Sequence, residues 1–203
     1  MHSLKSTPTA LLAIALACAL AVPASASTKK YDIKSATITY MQTTQAGTMK
    51  TERKHVFTFD DYGAKEREDV YANDVISQTT INTGSSVLMI MHASKEAYQL
   101  GGEVKLFDYT YGWNALPDSE KVNGTAREFP PFTVAGKVCA SYQRAINALG
   151  GSTTIAGWNG ICLLRDARSD NSSNVLRALT VEENPMLAPS MFSVPEGYKL
   201  TKP

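Results

Sequence analysis

Val134-Ala135-Gly136-Lys137-Val138-Cys139-Ala140-Ser141-Tyr142 and Thr153-Thr154-Ile155-Ala156-Gly157-Trp158-Asn159-Gly160-Ile161-Cys162-Leu163-Leu164 stand on either side of Gly150-Gly151. Both flanks are rich in β-branched and aromatic residues, and a glycine pair lets the chain reverse. The stretch therefore reads as two antiparallel strands folded about a turn. Pairing about that bend sets Cys139 opposite Cys162 and Tyr142 opposite Asn159. Opposed residues in an antiparallel pair lie about 4.5–5.5 Å apart, within the span of a disulfide. One structural disulfide, Cys139–Cys162, is expected, and with it a β-rich fold. A redox motif needs cysteines two residues apart, and two thiols without nearby histidines make a poor zinc site.

The third cysteine, Cys18, lies in a segment that reads as a secretory leader over residues 1–26. Lys5 supplies the positive start, Thr9 to Val22 is apolar, and Ala24-Ser25-Ala26 offers small residues for cleavage before Ser27. The apolar run is shorter than the roughly 18–20 residues of a spanning helix, and no later segment approaches that length. A rival reading makes Cys18 a lipidated N-terminus, but Ala15-Leu16-Ala17 before it fits a lipoprotein signal poorly. The alanine-rich leader looks bacterial, so the expected destination is the periplasm, an oxidising compartment that suits a disulfide.

The chain has 203 residues, with 20 Lys+Arg against 19 Asp+Glu. Lys5 is the only charged residue of the leader, so the mature chain is formally neutral. Neutrality argues against nucleic-acid binding or attachment to anionic membranes, both of which need clustered positive charge. Residues 27–203 suit one domain, expected to be a monomer. A chain of this size buries roughly 70% of its unfolded surface, so the disulfide is an added constraint of about 3 kcal/mol rather than a requirement for folding.

Working outward, short alternating segments recur. Thr37–Tyr40, His55–Phe59 and Val75–Asn82 read as strands, and Lys65–Tyr71, with its alternating charges, as a solvent-facing strand. Asp60-Asp61-Tyr62-Gly63 is a turn by its chemistry. Val87-Leu88-Met89-Ile90-Met91 lacks alternation and should be covered on both faces. Ala97–Leu100 continues the meander. From Lys105 to Phe129 aromatic residues crowd together, with a helix start at Pro117-Asp118-Ser119, and the stretch reads as short helices or an irregular flap. Gln143–Leu149 fits a few helical residues or a strand extension. Thr153–Leu164 reads as one strand, Asp166–Ser173 as turn-like, Val175–Glu182 as a strand, and Met191–Pro195 as a last extended segment.

No catalytic constellation stands out. His55 and His92 are the only histidines past the leader, and neither has a serine elbow, a paired-histidine helix or a phosphate-binding glycine loop nearby. Both read as surface or strand-packing residues, and only a cluster with two carboxylates in one cleft would point to an enzyme. Asp60, Asp61, Glu66, Glu68 and Asp69 lack the spacing of a calcium loop and read as a solvated turn. Asn123-Gly124-Thr125 and Asn171-Ser172-Ser173 match glycosylation acceptors by chance in a bacterial chain. No metal and no cofactor are expected.

The apolar surplus is more suggestive. Phe57, Phe59, Met89, Met91, Phe107, Tyr109 and Trp113 exceed what a two-layer core requires. A curved sheet with a movable aromatic cover would make a cleft for an acyl chain or a hydrophobic peptide, methionine being suited to adaptable surfaces. The plainer alternative is that these residues form the core.

Four motifs carry a resemblance: Phe59-Asp60-Asp61-Tyr62-Gly63, Ala135-Gly136-Lys137-x-Cys139-x-x-Tyr142, Trp158-x-Gly160-Ile161-x-Leu163, and Phe192-x-Val194-Pro195-x-Gly197-Tyr198. They resemble an uncharacterised family of secreted bacterial proteins similar to the periplasmic lipoprotein-sorting carriers of LolA/LolB-like fold. The resemblance implies a mainly β fold with short helices. It would be a curved antiparallel sheet, an incomplete barrel, with a helical and aromatic lid over an apolar cavity. It carries no defined functional residue across. The function it implies is a non-enzymatic periplasmic binder or carrier of a lipid-like ligand. The alternative is an envelope module that binds a partner protein.

Overall fold

The computed structural model describes residues 29–101, 108–146 and 150–202. The leader, Cys18 and Phe107 lie outside them. Twelve strands form one sheet: β1 (Ala36–Ala46), β2 (Met49–Asp60), β3 (Lys65–Ala72), β4 (Val75–Asn82), β5 (Val87–Met91), β6 (Glu96–Leu100), β7 (Ala126–Val134), β8 (Lys137–Ile146), β9 (Gly151–Trp158), β10 (Ile161–Ser169), β11 (Ser172–Glu183) and β12 (Lys199–Thr201). Their spatial order is β12-β6-β5-β4-β3-β2-β1-β11-β10-β9-β8-β7, so the sheet ends on β12 and β7 and does not close. All pairings are antiparallel except β12 with β6. The incomplete antiparallel barrel expected from the motifs is the architecture found. Among the described residues its helix content is small: α1 (Asp118–Val122) and three 3-10 turns.

Bulges bend this sheet. Register slips at Thr39/Tyr40 against β11, at Val70/Tyr71 against β4, at Phe129/Phe132 against β8, and at Cys162/Leu164 against β9. Each adds an unpaired residue and local twist, which curls a wide sheet. In β7 the slip falls on Pro130 and Pro131, which have no N–H to give a ladder.

Two expectations are corrected along the opening stretch. β8 and β9 do form a hairpin at the predicted bend, but Tyr142 faces Ile155, not Asn159. Thr153–Leu164 is also not one strand. Asn159 and Gly160 take φ of 49° and 76°, a left-handed pair that reverses the chain between β9 and β10. Cys139 therefore lies on β8 and Cys162 on β10 with β9 between them, and Gly157 pairs with both Ala140 and Cys162. Two strand spacings of about 4.8 Å exceed the roughly 7 Å limit for bridged Cα atoms. Both cysteines are buried free thiols, so the expected disulfide is absent.

Three further corrections concern the remaining chain. The aromatic flap ends earlier than its composition suggests, because β7 begins at Ala126. Met191 lies in a 3-10 turn, Pro189–Phe192, and is not extended. β3 is a strand but not a solvent-facing one, since Glu66, Glu68 and Asp69 are all buried.

Two apolar clusters sit on the sheet. The larger gathers Tyr31, Ile38, Tyr40, Phe57, Phe59, Tyr109, Ile161, Leu163 and Leu176. The smaller joins Ile81, Ile90 and Ala97 to Phe192 of the C-terminal segment. The ladder explains the division. Ile38, Phe57, Glu68, Thr80, Met89 and Tyr98 oppose one another across six strands and share one face, called here the inner face. Thr39, Val56, Asp69, Thr79, Ile90 and Ala97 form the next row and point to the outer face.

Candidate functional site

The aromatic residues expected to line a cleft are mostly packed against one another. Tyr109 stacks on Phe57 with ring centroids 4.2 Å apart and meets Tyr40 at 5.0 Å. Tyr31 lies 4.3 Å from Phe59. Phe57, Phe59 and Tyr109 are each at most 1% exposed, so the middle of the inner face is filled. Met89 and Met91, on the same face but farther along the sheet, are partly exposed. Trp113 sits in a 3-10 turn with its ring 5.3 Å from that of Tyr142.

Buried charges fasten the covers to this face. Glu68 accepts from the Tyr109 hydroxyl at 2.6 Å and lies 2.8 Å from His55 Nδ1. His55 Nε2 meets Gln42 Oε1 at 3.1 Å. Glu66 accepts from the Tyr31 hydroxyl at 2.8 Å and from Lys30 at 2.6 Å. Burial, with the nearby carboxylates adding to it, pushes the Tyr31 and Tyr109 hydroxyls far above their ordinary pKa, so both stay protonated donors.

A second polar set lies on the outer face. Arg67 pairs with Asp69 at 2.9 Å, Thr79 donates to Asp69 and meets His92 Nε2 at 2.8 Å, and His92 Nδ1 meets the Tyr198 hydroxyl at 2.8 Å. Arg67 Nη1 also donates to Met191 O at 2.8 Å, so this set holds the C-terminal segment. Among the described residues no buried side-chain nitrogen or oxygen lacks a partner, and no cluster of three metal-ligating residues occurs. Each histidine has a carboxylate nearby, yet both sets are spent on seating chain segments.

Open space occurs instead where the lid meets β8–β10. Its floor comes from two rows across β8–β10: Arg165, Ile155 and Tyr142, then Thr153 and Arg144. The lid is residues 108–116 with α1 behind it. It is seated by Cys162 N donating to Tyr109 O at 2.7 Å and Tyr111 N donating to Gly160 O at 2.8 Å. Tyr111 lies over Gly157, where any Cβ would collide with its ring. Burial pushes the Tyr111 hydroxyl up to about 12. Between lid and floor lies a groove of about 450 Å³, bounded by Asp108, Thr110 and Leu116 above and by Tyr142, Arg144, Ile155 and Arg165 below. That volume falls within the roughly 300–1,000 Å³ of small-molecule sites. Two ion pairs cross from lid to floor. Arg165 Nη2 donates to Asp108 O at 2.7 Å, with Asp108 Oδ2 at 3.9 Å, and Arg144 grips both Glu120 oxygens at 2.7 Å.

Arg144 and Arg165 escaped the sequence reading. The one available signal for Arg165 was a cation directly after the apolar run Ile161–Leu164.

No family model matches this chain, and no curated protein matches it. Solved structures do. It is similar to an uncharacterized conserved protein from Thermus thermophilus at 6% identity, over 86% of this chain and 93% of that one, with a TM-score of 0.55. It is similar to MucB at 10% identity over 84% of this chain, with a TM-score of 0.51, and it spans 61% of MucB. An outer membrane lipoprotein-sorting protein domain from Vibrio parahaemolyticus aligns over 78% of this chain and 89% of its own at 7% identity, with a TM-score of 0.40. At such identities the likeness is one of fold. Among the described residues no helix is long and apolar enough to cross a membrane.

Proposed function

We propose that the protein is a non-enzymatic periplasmic binder of a lipid-like, hydrophobic ligand held between the curved sheet and its lid. The groove under residues 108–116 carries this reading, because it is bounded by lid and sheet together and floored by Ile155 and Tyr142. Because the aromatic centre is filled, the proposed site lies away from Phe57, Phe59 and Tyr109, at β8–β10. Met89 and Met91 lie on β5, apart from this groove.

Native mass spectrometry of protein isolated from the periplasm tests the proposal. An acyl-bearing adduct is expected, and Ile155→Trp, which fills the floor, should cut its occupancy at least tenfold. A chain that never carries or takes up an acyl ligand sinks the reading. Crosslinking in the periplasm that returns one dominant protein, with no lipid extracted, would instead favour the envelope interaction module.

A further inference from the structure

We infer that the groove selects an anionic single-chain amphiphile, whose charged group pairs with Arg144 and Arg165 in place of the carboxylates of Glu120 and Asp108. The inference rests on the groove being a site for an apolar chain and adds the chemistry of its polar end.

The charges are segregated. Sheet positions contribute the arginines, on β8 and β10, with Thr153 and Ile155 of β9 between them. Lid positions contribute the acids, Asp108 ahead of the first lid turn and Glu120 in α1. Glu120 thus holds Arg144 through a carboxylate that resembles the ligand group proposed to displace it, and the Asp108 carboxylate lies 3.9 Å from Arg165, which bonds the Asp108 carbonyl. Arg144 already presents its planar fork to the two oxygens of Glu120, the geometry that also suits a carboxylate or phosphate ligand. Both pairs are partly solvent-exposed, and such pairs are weak, so exchanging one carboxylate for another loses little. An uncharged chain can cover Ile155 and Tyr142 but offers the two arginines no charge to pair with.

Titration calorimetry on the folded mature chain decides the matter, using laurate, dodecyl phosphate and dodecanol below their micelle concentrations. Both anions should bind at least tenfold tighter than the alcohol, and this margin should shrink as salt rises. The double substitution Arg144→Gln with Arg165→Gln should bring the anions down to the level of dodecanol. Asp108→Asn with Glu120→Gln, which removes the internal competitors and leaves the floor intact, should tighten the anions severalfold without moving dodecanol. A marked preference between laurate and dodecyl phosphate would name the head-group chemistry. Equal affinity for all three overturns the inference while leaving the groove as an apolar site. Failure of every chain to bind overturns both.

Discussion

Tyr109 shows how one side chain closes the inner face. Its ring stacks on Phe57, and its hydroxyl ends on a buried carboxylate. The two contributions separate by mutation. Tyr109→Phe keeps the stack and removes only the donor to Glu68, a hydrogen bond to a charged acceptor, so a loss of about 1.5–3 kcal/mol is expected. Phe57→Ala leaves a void in a filled aromatic cluster and should cost about 3–5 kcal/mol. Urea denaturation of both variants checks the order. If Tyr109→Phe proves the more damaging, the stack is not what holds the lid. The cysteines make a second prediction at this scale. Burial pushes Cys162 up to about 11 and raises Cys139 too, and neither thiol has a partner sulfur. A thiol reagent at pH 8 should find almost no reactive group in folded residues 27–203 and two after denaturation. Fewer than two would restore the disulfide.

At the scale of elements, the glycine under the lid is the sharpest case. Gly157 is in a strand, where glycine is usually a liability, yet the Tyr111 ring occupies the space a Cβ would need. Gly157→Ala should push the lid off β9 and destabilise the protein by about 1–3 kcal/mol, the usual cost of overpacking. At Gly112, within the lid, a new Cβ meets only Ala115 at 3.9 Å, so Gly112→Ala should stay within about 0.5 kcal/mol when both variants are compared by thermal melts. Equal effects would mean that Tyr111 does not rest on β9 in solution. Strand identity was legible where alternation and turn chemistry agreed, as in β2 and β4, and in the continuous apolar run of β5. It failed at Asn159-Gly160, a strong hairpin signal outweighed by the symmetry of two cysteines about Gly150-Gly151. One missed reversal displaced Cys162 by a whole strand. The buried side of β3 was illegible for a different reason. Glu66 and Glu68 become tolerable inside only through Lys30, Tyr31, His55 and Tyr109, which are distant in sequence. The arginines of the groove were hidden likewise, because a lid that crosses three strands leaves no local pattern.

Across the whole molecule, chain segments cover the two faces of one sheet, and the motifs read from the sequence are their seats. Tyr62 O accepts from Lys30 N and Tyr31 N, and Gly63 lies against the Tyr31 ring. Asn159 O and Gly160 O receive Asp32 N and Tyr111 N. Phe192 and Tyr198 belong to the C-terminal segment that covers Ile81 and Ile90. That last cover is tied to a titratable group. Burial lowers the pKa of His92, the Arg67 charge lowers it further, and Asp69 opposes both. The folded state thus prefers neutral His92 more than the unfolded chain does. Above an unfolded pKa of about 6.5 both states are neutral and the full contribution is present. As pH falls below that value the unfolded chain takes up the proton first, and stability drains until the lowered folded pKa is passed. The difference in urea midpoint between the wild type and His92→Gln should therefore be constant from pH 8 to 7 and shift against the wild type between pH 6.5 and 5. The comparison cancels His55 and the carboxylates, which both chains share. A difference that stays flat through pH 5 would show that the C-terminal cover does not depend on the charge of His92.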